Sequence, residues 1–553
     1  MAGNGSRKNN FIMQAGILAA AGIISRMIGL LYKSPLMNII GETGMGYYSA
    51  AYNYYTIVLL IASYSIPSAI SKVIAQKLGV KEYRNAHRIF LCAIGYVLAV
   101  GTAASLFLYF GAGLFVAKEA IPVLRVFAPT VFVYGVLGVL RGYFQAHKSM
   151  AQTSVSQILE QIANVVVSLL MARFLIISQL GSLAVPEDAA GRVEHAVKGA
   201  MGSAVGTGAG VVAGLVFMGG IYGLNYGYFQ RKIKKDRHQE IDSYKTILKM
   251  IVAVVTPFIL STAVYNLNVS LNSWLYTKLL PAIREVDGEA LHANYGVFSG
   301  MSVTISNIPI AFSSAMAAAM LPYVSQLLAA KKIEEARDKI GAAVKSTMMI
   351  SIPSAVGLFV LAKPVTLLLF PTRGDEVVDM AAKLLMTLAF SVVLYALSTL
   401  NSTILQGLGR VNAPIYNAGA ALLVQTAVTV PLLLFTQLGI YSLAIASTVF
   451  SGTMCLLNQR SVRKAIGYRQ EITKSFAVPC AASVLMGMAA WAVYEGVLML
   501  VKSPRIAVFP AVIVGAAVYF AMVLLFRGLT ESELKGFPKG YLLVKLAKRC
   551  RLL

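Results

Sequence analysis

Apolar stretches of about 20 residues recur along this chain from Phe11 to Arg527, separated by short charged clusters. Each is long enough to cross a hydrocarbon core about 30 Å thick as a helix rising 1.5 Å per residue. Spans read between the charged clusters fall at 11–32, 46–71, 89–117, 122–145, 153–178, 196–229, 246–277, 294–328, 341–369, 377–406, 413–436, 441–459, 475–500 and 506–527. The expected fold is therefore all-α and polytopic, with about fourteen transmembrane helices. Composition agrees: 13% of the 553 residues are charged, against roughly 25% in soluble domains. Arg7 and Lys8 ahead of the first apolar run resemble a signal peptide, but the run continues to about Tyr32 without a small-residue cleavage site, so a retained first helix is expected.

Charge sets the expected orientation. With the N-terminus cytoplasmic, the two ends and the connections after even-numbered spans hold roughly two thirds of the 48 Lys and Arg, as the positive-inside rule requires. Both termini are then cytoplasmic. The net charge of +25 needs no nucleic-acid partner, because its densest runs, Arg231 to Lys235, Arg460 to Lys464 and Lys545 to Arg551, all lie on the side where anionic lipid attracts cations. Four scattered cysteines and five unpaired histidines offer neither a disulfide framework nor metal-ligand spacing, so no metal is expected.

Spans four and ten align without a gap at an offset of 261, pairing Leu124 with Leu385, Tyr134 with Tyr395 and Gln145 with Gln406. A weaker match joins Ser71-Lys72 at the end of span two to Ser325-Gln326 at the end of span eight. Both pairs are six spans apart, which predicts parallel six-helix lobes related by an axis along the membrane normal, with a central cavity between them. The lobes are placed at residues 1–230 and 231–460, with helices thirteen and fourteen and a basic tail at 461–553.

Ionisable and strongly polar groups inside a membrane are costly and mark cavities or pathways. Arg26 lies about 15 residues into span one, and a guanidinium there suits bidentate capture of phosphate; the competing reading is snorkelling to the outer interface. Gln157, Glu160, Gln161 and Asn164 in span five stand at i, i+3, i+4 and i+7, on one helical face. That face must meet water or protein, and Glu160 carries a charge that interhelical hydrogen bonding does not need. Asn268 and Asn272 in span seven, Asn307 with Ser302 and Ser306 in span eight, and Asn401 with Ser402 in span ten extend the polar interior. Tyr48, Tyr52 and Tyr55 sit one above another in span two. The aromatic belt at the membrane surface accounts for Tyr48, whereas Tyr52 and Tyr55 lie deeper and suit stacking on sugar or prenyl groups. No G-x-x-x-x-G-K-[ST] run and no nucleophile with a neighbouring base is present, so neither an intrinsic ATPase nor a membrane enzyme is expected; the Gly-rich stretch Gly199 to Gly214 reads as a helix-packing face.

Ile24-Ser25-Arg26-Met27-Ile28-Gly29-Leu30, Gly46-Tyr47-Tyr48, Ile66-Pro67-Ser68-Ala69-Ile70-Ser71-Lys72, Leu321-Pro322 with Ser325, and Leu405-Gln406-Gly407 occur in an order that resembles the multidrug/oligosaccharidyl-lipid/polysaccharide exporter superfamily. Within it the chain is most similar to the MurJ-type lipid II flippases and the stage V sporulation protein B group. The resemblance implies alternating access around a central cavity, and two C-terminal helices framing a groove for a prenyl tail. The chain differs from the Gram-negative flippases in carrying over only Arg26 of their cavity arginines. By this resemblance the expected activity is that of a flippase for undecaprenyl-pyrophosphate-linked muropeptide, lipid II, in the bacterial cytoplasmic membrane, monomeric and with no cofactor; a membrane potential of 100 mV supplies about 2.3 kcal/mol per charge moved and can drive an anionic substrate outward, and coupling to an ion stays open beside it. The alternatives are a flippase for another lipid-linked polysaccharide unit and a cation-coupled multidrug exporter.

Overall fold

The computed structural model describes residues 21–529 except 23, 26, 61–65, 148, 237–241, 330–331 and 411, together with residues 531 and 545; at 68, 69, 72, 254–266 and most of 315–329 it describes the backbone alone. All regular structure among the described residues is helical: α1 Lys33–Leu59, α2 Ile66–Gly79, α3 Tyr83–Phe110, α4 Ile121–Ala146, α5 Met150–Leu180, α6 Ala189–Lys234, α7 Tyr244–Trp274, α8 Gly288–Gly296, α9 Val303–Ala329, α10 Ile333–Val360, α11 Ala362–Leu369, α12 Asp375–Gly407, α13 Asn412–Phe435, α14 Tyr441–Ile466, α15 Val478–Val501 and α16 Pro504–Leu525, joined by short helical turns. Ten helical segments among the described residues have the length and hydropathy of membrane spans, and they fall on expected spans three to six and nine to fourteen. Helix also covers the described parts of spans one, two, seven and eight.

Local chemistry sets the helix ends. Asp188 caps α6 by accepting from the Gly191 amide at 2.7 Å, and Ser243 caps α7 by accepting from the Thr246 amide at 3.2 Å. Gly181 and Gly467 end α5 and α14 with left-handed φ values of 72° and 67°. Within α1, Gly41 has φ 72°, so the chain leaves span one and enters span two through a kink that a residue with a Cβ adopts only with strain. Helix α6 has 46 residues, or about 69 Å at 1.5 Å per residue, and so projects well beyond a hydrocarbon core of about 30 Å.

The chain divides into two compact units, Met1–Gly300 and Met301–Leu553. In the first, α4 packs on α2, α3 and α6, and α5 packs on α6. In the second, α12 packs on α9, α10 and α14, and α13 packs on α14. Numbered by spans, the pairs 2·4, 3·4, 4·6 and 5·6 recur as 8·10, 9·10, 10·12 and 11·12, so the packing repeats every six spans as the sequence match does. The compact boundary at 300 lies beyond the expected lobe boundary at 230 because α7 and α8 pack on α1; duplication and packing divide the chain at different places. Helices α15 and α16 pack on each other and on α10 and α11 of the second unit, where Tyr519 donates to the Met349 carbonyl at 2.8 Å.

Candidate functional site

Helix α5 carries its polar residues on one face and lipid-type residues on the other. Val155, Leu159, Ile162, Val166 and Leu170 are exposed, while Asn164 and Ser168 are buried and Gln157, Glu160 and Gln161 are half-buried. A glycine stripe on α6 seats this face. A methyl group at Gly206 would stand 2.2 Å from Ser168 Oγ, and one at Gly210 would stand 2.5 Å from the Glu160 carbonyl oxygen. The small-residue run thus brings the two backbones close enough to fix where the polar side chains point.

At one end of the strip, Tyr32 and Tyr48 hydroxyls meet at 3.2 Å, Tyr48 meets Thr207 Oγ1 at 3.3 Å, and Thr207 donates to Asn164 Oδ1 at 3.4 Å. Ser168 Oγ lies 3.0 Å from the same Asn164 oxygen. Tyr48 is 4% exposed, which corrects its placement in the aromatic belt: its hydroxyl finds protein partners where a belt tyrosine would find water. From Tyr48 an aromatic ladder continues along α1, with ring centroids of Tyr48 and Tyr52 at 5.7 Å and of Tyr52 and Tyr55 at 5.8 Å. Phe127 of α4 stacks on Tyr55 at 4.8 Å. Tyr55 is buried, whereas Tyr52 keeps 40% of its surface exposed.

At the other end, Glu160 is paired. Arg141 of α4 donates to Glu160 Oε2 at 2.8 Å and to Ser156 Oγ at 2.8 Å. The Arg141 side chain is 4% exposed and that of Glu160 is 15% exposed. The carboxylate therefore does not stand alone in the interior: it neutralises a guanidinium that the polar pattern of the spans does not single out. The signal for it is an arginine near the end of span four, joined to span five by a short turn that makes the two helices antiparallel neighbours. Removing one member of a buried pair strands the other, at a cost of about 3–5 kcal/mol, whereas two apolar residues of similar volume are tolerated. Glu160→Leu and Arg141→Leu are each expected to lower the midpoint of thermal unfolding in detergent, and the double variant to regain much of the loss. Additive losses in the double variant would show that the two side chains do not act as a pair.

The other expected site residues lie on other helices. Asn268 and Asn272 lie on α7, buried, with the Asn272 amide donating to Asn268 Oδ1 at 3.2 Å. The Tyr54 hydroxyl donates to the Ser270 carbonyl of α7 at 3.1 Å, and Tyr54 lies on the side of α1 away from Tyr52. Asn307 is exposed and belongs to the second unit. In that unit Asn458 donates to Ser402 Oγ at 2.8 Å, Asn417 donates to Asn458 Oδ1 at 2.8 Å, and Asn401 donates to Gln459 Oε1 at 3.1 Å, a network that joins α12, α13 and α14. Arg26 lies outside the described residues.

A family model described as "Lipid II flippase MurJ" matches residues 84–509. The chain is 25% identical to "Stage V sporulation protein B" of Bacillus subtilis (strain 168), over 96% of this chain and 98% of that protein. It is 23% identical to "Lipid II flippase MurJ" of the same organism, over 86% of each. Among solved structures, "Lipid II flippase MurJ, inward closed conformation" superposes with a TM-score of 0.64 at 14% identity, covering 92% of this chain and 98% of that one. A multidrug resistance MATE family transporter of the MOP superfamily superposes with a TM-score of 0.63 at 18% identity, covering 80% of this chain and 94% of that one.

Proposed function

The chain belongs to the lipid II flippase MurJ family, and from that premise we propose that it carries undecaprenyl-pyrophosphate-linked muropeptide from the inner to the outer leaflet by alternating access. The observation that carries this reading is the polar and aromatic strip of the first unit, part buried and part exposed, on helices otherwise made largely of apolar residues. A channel for ions or a purely structural bundle has no need of an exposed tyrosine ring beside amides and an ion pair at that depth. The headgroup is held there while the prenyl chain stays in lipid. Arg26 takes the pyrophosphate, because a guanidinium offers two parallel donors to it.

The excess of Lys and Arg in alternate connections supports cytoplasmic termini. Outward movement of an anionic substrate then runs with the membrane potential, which supplies about 2.3 kcal/mol per charge at 100 mV. A related reading, transport of another lipid-linked polysaccharide unit, is favoured by the neutral character of the strip, where the one guanidinium among its described side chains is already paired with Glu160.

The test is complementation of cells depleted of their own flippases, with lipid II exposed on the outer leaflet measured directly. Wild type is expected to restore exposure, Arg26→Ala to abolish it at normal protein abundance, and Arg26→Lys to recover part. Growth without restored lipid II exposure would move the assignment to another lipid-linked unit.

A further inference from the structure

We propose that the strip on the first unit is a carbohydrate subsite, in which the Tyr52 ring stacks on a pyranose and the Gln157 and Gln161 amides bond its hydroxyls. The inference rests on the flippase reading and names which part of the substrate this surface holds.

The geometry supplies two walls of different chemistry. Tyr48, Tyr52 and Tyr55 form a ladder seven residues long, about 10 Å along a helix. Asn164, Gln161 and Gln157 form a second ladder of the same length on α5. The contact of Tyr48 with Thr207, and of Thr207 with Asn164, fixes the register at one end. Gly199 packs on Ile40 and Thr207 meets Tyr48, so α1 runs parallel to α6, whereas Gly206 faces Ser168 and Gly210 faces Glu160, so α5 runs antiparallel to both. Moving along α1 from residue 48 to 55 thus follows α5 backwards from 164 towards 157, which puts Tyr52 near the level of Gln161, whose side-chain oxygen lies beside Gly29, and Tyr55 near that of Gln157.

An aromatic face on one side and amides on the other match a sugar ring, which presents C–H groups on its faces and hydroxyls around its edge. A prenyl chain fits less well: it would cover the amide wall without offering it a hydrogen bond. Gln157 is half-buried and its Oε1 is enclosed without a hydrogen-bond partner, so turning that side chain outward to a sugar hydroxyl breaks no existing bond of the oxygen. A phosphate is also disfavoured, because Arg141 is neutralised by Glu160 and the carboxylate repels an anion.

Native mass spectrometry of the full chain with two probes tests this: undecaprenyl pyrophosphate, and the same lipid bearing a disaccharide without peptide. Wild type is expected to bind the disaccharide lipid at least tenfold more tightly. Tyr52→Ala should remove most of that tenfold preference while leaving the affinity for undecaprenyl pyrophosphate unchanged, and Tyr52→Phe should keep it, since stacking needs the ring and not the hydroxyl. Gln157→Leu, in case truncation at 52 perturbs the helix, should likewise reduce only the sugar-dependent part. Equal loss for both lipids, or an unaltered preference in both variants, overturns the subsite alone. Failure of the wild type to bind either lipid overturns the flippase reading and the subsite with it.

Discussion

Replacement of Gly206 by leucine removes the folded protein from the membrane. The first carbon added there would stand 2.2 Å from Ser168 Oγ, 2.3 Å from the Ser168 amide nitrogen and 2.5 Å from its Cα. Two of these are backbone atoms and cannot rotate away, so α5 and α6 must separate. Separation also breaks the Ser168 contact with the Ser203 carbonyl, and it opens the contacts at Gly202 and Gly210, where α5 backbone atoms lie equally close. Overpacking a well-packed site costs about 1–3 kcal/mol, and here the strain falls on the long contact that holds the polar strip. The internal control is Gly220 on the same helix, which has nothing within 4 Å of an added methyl. Gly220→Ala is expected to leave abundance and unfolding temperature unchanged or slightly raised, since alanine favours helix by up to about 1 kcal/mol. Membrane abundance and monodispersity after detergent extraction decide the matter, and a Gly206→Leu variant extracted at wild-type yield would refute the close packing.

The second large effect is expected at Gly46. A methyl on Gly46 would stand 1.9 Å from the His292 carbonyl oxygen, and one on Gly296 would stand 1.9 Å from that of Glu42, so α1 and α8 touch backbone to backbone. The seam also holds the Asn53 amide donating to the Tyr295 hydroxyl at 2.8 Å, and Tyr47 against the His292 ring at 4.6 Å. It lies at the end of the bundle read as external, and under the proposed alternating access it would part and close. Gly46→Ala should disfavour closure by about 1–3 kcal/mol, roughly five- to 150-fold in the equilibrium constant for closure. A cysteine at Leu291, which is 2% exposed, should then react with an impermeant maleimide from outside at least about fivefold faster than in the Gly46 background. Unchanged labelling would show that the seam does not gate access.

Acidity acts on the same seam. Burial lowers the His292 pKa to about 4, with Glu119 partly opposing the shift, against about 6.5 for an exposed imidazole. The charged and titratable groups around it are Tyr47 on α1, Glu119 on the turn before α4, and Asp287 and Glu289 beside it, Glu289 being paired with Arg192 of α6. Because the closed-state value is depressed, closure is fully stabilised above about pH 6.5 and weakens as pH falls towards 4. Relative to the same cysteine in a His292→Phe background, which removes the roughly hundredfold loss of thiolate between pH 7.5 and 5.5, Leu291→Cys labelling should gain roughly tenfold over that range, and an unchanged ratio would show that His292 does not act on the seam.

Much of the fold is legible in the sequence because crossing a membrane is a local property: length and apolarity are written in each segment. The ends of α4, α12, α13 and α16 fall within a few residues of the expected span limits for that reason. The packing role of Gly199 to Gly214 and the inward direction of the polar face of α5 are readable too, since both follow from helical periodicity alone. Period does not reveal which neighbour a face meets. Glu160 reads as a lone charge until α4 brings Arg141 to it, and Tyr48 reads as a belt residue until Tyr32 and Thr207 enclose its hydroxyl. Asn268 and Asn272 look like part of one polar interior, yet α7 places them on the side of α1 away from Tyr52. Spacing along the chain fixes a residue's face and depth; its partner is set by which helices lie side by side, and that depends on close backbone approaches such as Gly46 to His292 and Gly206 to Ser168, which no single segment encodes.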